Sequence, residues 1–238
     1  MKYRKEFYFD GKSSKDFGLY ISGGKTFGGP EMNVETVSVP GRNGDLFISG
    51  DSYKNVSYTY DAFIYNEQGY YEEQARRVRS WLTSKKGYKR LEDDYHPGEF
   101  RMAIYKGPVS FNTILLTAGT LTLTFNCKPQ RFFKSGETPL IFSSSGSLFN
   151  PYYFASKPLI KVTGSTGTFT IGDYSVTVTE TNGIVIDSEI EQAYKGTTYK
   201  NNKVSLANYK FPQLLPGPNT ITIPSGMTLE ITPRWFEV

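Results

Sequence analysis

The sequence predicts a mainly β protein whose first half carries one helix and whose second half carries none. Three observations support this expectation. Tyrosine (18 residues) and phenylalanine (17) dominate the aromatic residues, glycine (23) and proline (13) supply many turns, and one segment alone has a helical period. With 238 residues, the chain is long enough for one large domain or two modest domains that each bury a core.

The first half of the chain begins with a series of predicted strands. FYFDGK (7–12), which ends in an Asp-Gly turn, and FGLYIS (17–22) predict the first two, and two more are expected at residues 34–39 and 45–49. The segment NVSYTYDAFIYN (55–66) then alternates as a half-buried strand does. Its apolar face consists of Val56, Tyr58, Tyr60, Ala62 and Ile64.

A tight chain reversal is predicted at the stretch VSVPGRNGDL, between the third and fourth of these strands. Pro40-Gly41 prevents the earlier strand from continuing, and Asn43-Gly44 can supply the positive φ angles of the turn. Arg42 is then left projecting from the tip, and no catalytic partner lies near it in the sequence.

One helix is predicted at residues 68–84, QGYYEEQARRVRSWLTS. Its apolar residues recur at helical spacing and form one stripe, which we expect to pack on a sheet. Gly87 is expected to end the helix. The stripe consists of Tyr71, Ala75, Val78, Trp81 and Leu82.

The segment GTLTLTFNC (119–127) alternates strictly, with Leu121, Leu123, Phe125 and Cys127 on its inward face. We therefore interpret Cys127 as a small core residue and not as a nucleophile. As the single cysteine, it excludes an internal disulfide and a multi-cysteine zinc site. The N-terminus has no apolar signal-peptide core and no apolar run is long enough to cross a bilayer, so we expect a soluble protein made in a reducing cytoplasm.

A change of texture near residues 130–137 predicts a domain boundary, which gives a first domain of residues 1–133 and a second of residues 134–238. The second domain holds short, regularly spaced segments that are separated by Gly-Ser, Gly-Asp and Asn-Gly turns. Such a pattern is typical of an antiparallel β-sandwich or jelly roll.

The charge pattern and the ionisable residues give little support for nucleic-acid binding or catalysis. The net charge of +4 is mild and its signs are interspersed. His96, the sole histidine, lies near Asp93 and Asp94, so a hydrolase that uses His96 is one alternative. However, His96 directly precedes a Pro-Gly turn, and no serine lies in a nucleophile-elbow motif. One histidine beside adjacent carboxylates also falls short of a metal-ligand set. We therefore predict no catalytic, cofactor-binding or metal site.

Two segments carry weak signals for ligand binding. SGGKTFGGP (22–30) contains glycines and a lysine but lacks the spacing of a phosphate-binding loop, so a strand connection is the better interpretation. The second domain is rich in Tyr, Asn and Thr, with Trp235 near its end. Carbohydrate binding at the host surface by a lectin-like sandwich is therefore kept as an alternative function.

Four ordered stretches together give a resemblance to a known family. They are SVPGRNGDL (38–46), YKRLEDDYHPGEFRMAIY (88–105), LTFNCKPQRF (123–132) and KPLIKVTGST (157–166), the last of which leads to GIVIDSE (183–189). In this order and spacing, which extend over nearly the whole chain, the sequence resembles the distal tail protein (Dit) family of siphophages that infect Gram-positive bacteria.

The resemblance implies a structural protein and not an enzyme. Members have an N-terminal tail-tube-like β-sandwich with a helix and an extended hairpin, and a galectin-like C-terminal sandwich that usually lacks a working sugar site. Six copies close into a homo-hexameric ring, which can stack on a second ring, and genomic DNA passes through the lumen. The ring joins the major tail protein of the tube to the tail-associated (Tal) protein, and it can carry receptor-binding proteins.

The resemblance also implies a location and an interface. We expect the protein in the virion, at the tail tip or baseplate, after assembly in the host cytoplasm and without a cofactor or membrane insertion. A closed ring needs one surface of each subunit to meet a different surface of the next, and a long hairpin can meet this need. The residues predicted to lie at the subunit interface are Val39, Pro40, Gly41, Arg42, Asn43, Gly44 and Asp45.

Overall fold

The computed structural model describes residues 4–24, 28–65, 71–84, 86–115, 118–180 and 183–238. The chain divides into two compact units, one that extends to Arg131 and one that spans Phe132–Glu237. Each unit buries a hydrophobic cluster of its own. The division lies close to the boundary that the change of texture predicts.

The first unit contains a main sheet, a separate two-stranded sheet and one α-helix. Its elements are β1 (Phe7–Phe9), β2 (Lys12–Ser13), a 3-10 helix (Ser14–Phe17), β3 (Leu19–Ser22), β4 (Met32–Val37), β5 (Leu46–Tyr53), β6 (Val56–Tyr65), α1 (Tyr71–Thr83), β7 (Lys89–Asp93), β8 (Glu99–Tyr105), β9 (Asn112–Leu115) and β10 (Ala118–Phe133). The main sheet has the order β2-β1-β7-β8-β10-β6-β3, and β9 pairs with the start of β10. Strands β4 and β5 form a separate two-stranded sheet.

The alternation predicted for residues 55–66 and 119–127 is confirmed in β6 and β10. These strands pair antiparallel, with Leu123 opposite Tyr60 and Phe125 opposite Tyr58. All four side chains are buried in the core of the first unit, because side chains of directly opposed residues point to the same face of a sheet.

Helix α1 covers this core with its apolar stripe. Ala75, Val78, Trp81 and Leu82 are buried, so the predicted stripe is confirmed for these residues. The Trp81 ring stacks on Phe17 with 4.4 Å between the ring centroids. Such aromatic pairs stabilise a core by roughly 1 kcal/mol beyond the burial of their area.

The predicted end of the helix is confirmed to within one residue. The helix ends at Thr83, where the prediction placed its end at residue 84, and Gly87 beyond it has φ +73°. The predicted start at residue 68 lies outside the described residues. Thr83 Oγ1 donates to the carbonyl four residues earlier (2.8 Å), and Ser84 Oγ donates to the carbonyl three residues earlier (3.1 Å). The second of these bonds satisfies a carbonyl of the last turn.

The second unit is a sandwich of two antiparallel sheets. Its elements are β11 (Leu140–Phe142), β12 (Gly146–Asn150), β13 (Leu159–Gly164), β14 (Gly167–Ile171), β15 (Tyr174–Val178), β16 (Ile184–Asp187), β17 (Gln192–Lys195), β18 (Thr198–Tyr199), β19 (Val204–Leu206), β20 (Gly217–Thr222), β21 (Met227–Thr232) and β22 (Phe236–Glu237), with 3-10 helices at Lys134–Glu137, Asn201–Lys203 and Ala207–Tyr209. The sheet orders are β11-β21-β13-β16-β17-β18 and β12-β20-β14-β15-β19. The predicted fold class, mainly β with one helix in the first half, is confirmed.

Both sheets of the second unit contribute alternate residues to one core. Ile160 and Val162 of β13 and Phe169 and Ile171 of β14 are fully buried, and the residues between them are more exposed. This period of two turns one face of each sheet to the shared core and the other face to solvent, as in a sandwich.

Candidate subunit interface

Strands β4 and β5 form an antiparallel hairpin that pairs with no other strand in the described part of the chain. The register places Val37 opposite Leu46 and Glu35 opposite Ile48. A two-stranded ribbon without further strands or a helix on its face is marginally stable in water. The hairpin therefore has the architecture of an arm that needs a partner surface.

The turn of the hairpin differs from the predicted one. The Arg42 backbone N–H donates to the Val39 carbonyl (3.1 Å), and Gly41 has φ +81°. Pro40 at the second position and a left-handed glycine at the third are the marks of a type II turn. The second positive φ lies at Gly44, with φ +82°, and Asn43 does not share it. The expectation that Asn43-Gly44 together supply the positive φ angles is therefore wrong.

Polar contacts hold the base of the hairpin in register. Lys54 Nζ lies 3.0 Å from a carboxylate oxygen of Glu31, and the Lys54 N–H donates to the Glu31 carbonyl (2.8 Å). Asn33 Nδ2 donates to Ser52 Oγ (2.9 Å). A Cβ atom added at Gly50 would lie 2.9 Å from the Asn33 carbonyl oxygen, so this close approach of the two strands requires glycine.

Large apolar side chains are exposed along both strands of the hairpin. Phe47, with 59% of its surface exposed, is the most open of them. The set consists of Met32, Val34, Val37, Val39, Leu46, Phe47 and Ile48. Since direction alternates along a strand, Leu46 and Ile48 share one face and Phe47 lies on the other. Both faces of the ribbon are thus apolar, which marks an interaction surface and not one face of a folded core.

The structure places the predicted interface residues at the tip of this arm. All seven residues from Val39 to Asp45 are exposed, and their role between subunits stays a prediction. The exposed strand residues beside them were missed from the sequence. The consecutive apolar run Leu46-Phe47-Ile48 carries a signal for them, because a strand with apolar residues on both faces is typically covered on both faces.

The His96 region is organised around one carboxylate. Asp93 accepts hydrogen bonds from the Tyr60 hydroxyl (2.7 Å) and from the N–H groups of Tyr95 and His96 (2.9 Å each). His96 Nδ1 lies 3.8 Å from Asp93 Oδ1, beyond hydrogen-bond distance. These contacts fix the turn between β7 and β8, as expected of a turn residue before Pro-Gly. They do not align His96 with Asp93 as a general base needs.

Cys127 is fully buried, which confirms its interpretation as a core residue. Burial raises the pKa of its thiol from 9.0 to about 12, with Arg101 opposing the rise and Asp93 adding to it. A thiol of this kind is protonated at neutral pH and is inert as a nucleophile.

Three further questions from the sequence concern metal binding, membrane spanning and the SGGKTFGGP segment. Among the described residues, no three His, Cys, Asp or Glu side chains come together as a potential metal site. No described helix combines the length and the apolar character needed to cross a membrane. The SGGKTFGGP segment connects β3 to β4, as predicted for a strand connection, and its residues 25–27 lie outside the described residues.

Comparisons with known proteins give a match to a family and a match to a solved structure. The family described as "phage tail protein N-terminal domain" matches residues 2–129, more than half of the chain. A search of curated proteins finds no match to the sequence.

Among solved structures, the Dit protein of phage SPP1, described as a paradigm of the hub adsorption apparatus in phages that infect Gram-positive bacteria, superposes with a TM-score of 0.74. The superposition covers 95% of this chain and 97% of SPP1 Dit at 14% sequence identity. At this identity the match concerns the fold. The chain therefore belongs to the phage tail protein family defined by this N-terminal domain, and its resemblance to the distal tail proteins is confirmed in its fold.

Proposed function

We propose that this phage tail protein is the structural hub of the tail tip, a homo-hexameric ring that joins the tail tube to the host-adhesion apparatus. The observation that carries the proposal is the β4–β5 hairpin, an arm whose apolar side chains are exposed on both faces. A subunit that must bury such an arm against a different surface of its neighbour forms heterologous contacts, which close into a ring when the rotation permits. The fold of SPP1 Dit over nearly the whole chain supports the same role.

In this proposal the arm is the interface, and the tip residues Val39–Asp45 reach the neighbouring subunit. Arg42 meets a carboxylate or backbone carbonyls there, as a guanidinium donates in a fork of parallel N–H groups. The apolar residues Phe47 and Ile48 then supply the area that leaves water. In this division the apolar strand residues supply most of the affinity between subunits, and the tip residues fix how the subunits are positioned.

The ring has two neighbours along the tail axis in this proposal. The major tail protein lies above it and the tail-associated (Tal) protein below it, and receptor-binding proteins dock around it. Genomic DNA crosses the lumen without being held. We propose a role without catalysis, since Cys127 is buried with a raised pKa and His96 serves a turn.

Native mass spectrometry of the full chain tests the ring. We expect a species of six 26.9 kDa chains, or twelve if two rings stack, and negative-stain images with a central lumen. Co-expression with the major tail protein and with the Tal protein of the same phage should give complexes that survive gel filtration. A chain that stays strictly monomeric at all concentrations, alone and with these partners, would overturn the proposal.

A further inference from the structure

One edge of the sandwich in the second unit is open and carries no charge. Strand β12 (Gly146–Asn150) is the last strand of its sheet, and no described strand pairs with it on the side away from β20. Its sequence GSLFN contains neither a charge nor a proline, and its register with β20 is continuous, without a bulge. Lysine, proline and bulges are features that usually keep such an edge from pairing with another chain. The β12 edge lacks all three.

The strand ladder shows which backbone groups of β12 face the open edge. The Thr220 carbonyl of β20 accepts a hydrogen bond (2.8 Å) from the turn that follows β14, so Thr220 directs its backbone groups toward β14. Because these groups alternate in direction along a strand, those of Asn219 point to its partner Leu148 in β12. The N–H and carbonyl groups of Ser147 and Phe149, on either side of Leu148, therefore point away from β20 to the open edge.

The surroundings of β12 are also free of charge. Residues 138–156 and 211–229, which include β11, β12, β20 and the loops beside them, contain no Asp, Glu, Lys, Arg or His, although 21% of the chain is charged. Apolar side chains are exposed there instead, since Phe149 is 62% exposed, Ile141 71% and Tyr153 89%. Depletion of charge together with exposed aromatic residues is typical of the core of an interface.

Two buried asparagines hold the loops beside this edge in a fixed shape. Asn150 is fully buried, and its amide group donates to the carbonyls of Phe154 and Leu214 (3.0 Å each). Asn219, also buried, accepts a hydrogen bond from the Leu215 N–H (2.9 Å) and donates to the carbonyl of the same residue (2.8 Å). A surface that is already ordered loses little conformational entropy when it docks.

We propose that β12 pairs antiparallel with β12 of a second copy of this chain, about a two-fold axis at Leu148. Ser147 of one copy then lies opposite Phe149 of the other, and the two residues exchange the N–H and carbonyl bonds that each edge leaves open. On the outer face of the sheet a large side chain thus meets a small one, and the two phenylalanine rings do not collide. In a two-fold contact every charge near the axis meets its own copy, so an edge without charges suits this pairing.

This contact rests on the proposed ring only for its place in the assembly. Neighbours within a six-fold ring are joined by heterologous contacts, so a two-fold contact joins a subunit of one ring to a subunit of another. A pairing between strands of 5 residues buries less area than a standard interface, so one contact alone is weak. Between two rings six such contacts act together, and their combined affinity is far higher.

Charge substitution at Ser147 tests the pairing, because the Ser147 side chains of the two copies lie diagonally across the axis, about 7 Å apart. Sedimentation velocity of the full wild-type chain should show a species of twelve chains in equilibrium with one of six. Ser147→Glu and Ser147→Lys should each weaken the pairing of rings at least about tenfold through like-charge repulsion, while single rings remain. Preformed S147E rings mixed with preformed S147K rings should pair again, since opposite charges then lie across the axis.

Ser205→Glu is the matched control, because Ser205 is an exposed serine on β19, the strand at the opposite edge of the same sheet. Its rings should pair as the wild-type rings do. The inference is wrong, and the proposed ring still stands, if wild-type rings stay single at all concentrations. It is also wrong if S147E rings pair as strongly as wild-type rings, or if S147E and S147K rings stay apart when mixed. A chain that forms pairs of subunits and no rings overturns the proposed hexamer and supports this contact.

Discussion

Phe47 is the residue at which the proposed ring can be tested with a worked magnitude. A fully exposed phenylalanine presents roughly 200 Å², so about 120 Å² of Phe47 is open to solvent at its exposure of 59%. At ~25 cal/mol/Å², burial of this area stabilises an interface by about 3 kcal/mol. Truncation to alanine removes most of the area, so each interface of the ring should lose about 2 kcal/mol.

A loss of this size weakens association between neighbouring subunits roughly 30-fold. A ring of six contains six such interfaces, so the effect on assembly is multiplied. Phe47→Ala should therefore form rings only at much higher concentration than the wild-type chain. Folding of the monomer should be unchanged, because Phe47 belongs to neither buried core.

Sedimentation velocity over a concentration series measures the ring, and the melting temperature at concentrations below ring formation measures the monomer. Phe149→Ala is the control variant, since Phe149 is the same residue type with a similar exposure of 62% but lies in the second unit. A Phe47→Ala ring as stable as the wild-type ring refutes the reasoning, and so does a Phe149→Ala ring that dissociates equally.

Three further predictions follow from charge and burial. Arg42→Glu should weaken the ring more than it weakens monomer folding, while Arg42→Lys should retain more of the ring; native mass spectrometry separates these outcomes, and an unchanged Arg42→Glu ring rejects the role of the tip. Cys127 should resist iodoacetamide at pH 8 until denaturant is added, and rapid labelling of the native chain would contradict its burial. Because the pKa of Cys127 is raised on folding from 9.0 to about 12, the free energy of unfolding should fall as pH rises through that range. Asp187 accepts two hydrogen bonds from the Arg234 guanidinium (2.6 and 3.0 Å). Asp187→Asn should lower the stability of the second unit by about 2 kcal/mol in urea unfolding, and a variant with the wild-type unfolding midpoint at pH 7 would reject this contribution. Since the pKa of Asp187 is lowered on folding, the stability that it supplies is present above pH 3.8 and is lost as pH falls through the folded pKa.

Sequence patterns predicted those parts of the fold that depend on neighbours along the chain. The strict alternation up to Cys127 specified which side chains of β10 are buried, since a strand's period of two fixes them once one face is apolar. The stripe of α1 was predictable because its apolar residues recur at helical spacing. Its end was predictable to within one residue, because the left-handed Gly87 follows closely.

The candidate sites were less accessible from the sequence. The turn at Pro40-Gly41 could be expected, but its type depends on which glycine takes the left-handed conformation. A cleft on the second unit that Ser188 and Tyr209 line could not be expected at all, because Ser188 follows β16 of one sheet and Tyr209 follows β19 of the other sheet. Sites assembled from distant segments leave no local spacing to detect.

The proposed use of the β4–β5 hairpin for assembly rests on how the apolar residues are distributed. Residues such as Leu123 and Phe125 are fully buried inside the first unit, so they have no surface left for a neighbour. The apolar residues of β5 lie outside that core, on a ribbon that gains little stability alone. In the proposed ring, association buries this second set without disturbing the first. In that proposal the subunit folds before assembly, and burial of the arm against the next subunit makes the stability of the ring depend on subunit concentration.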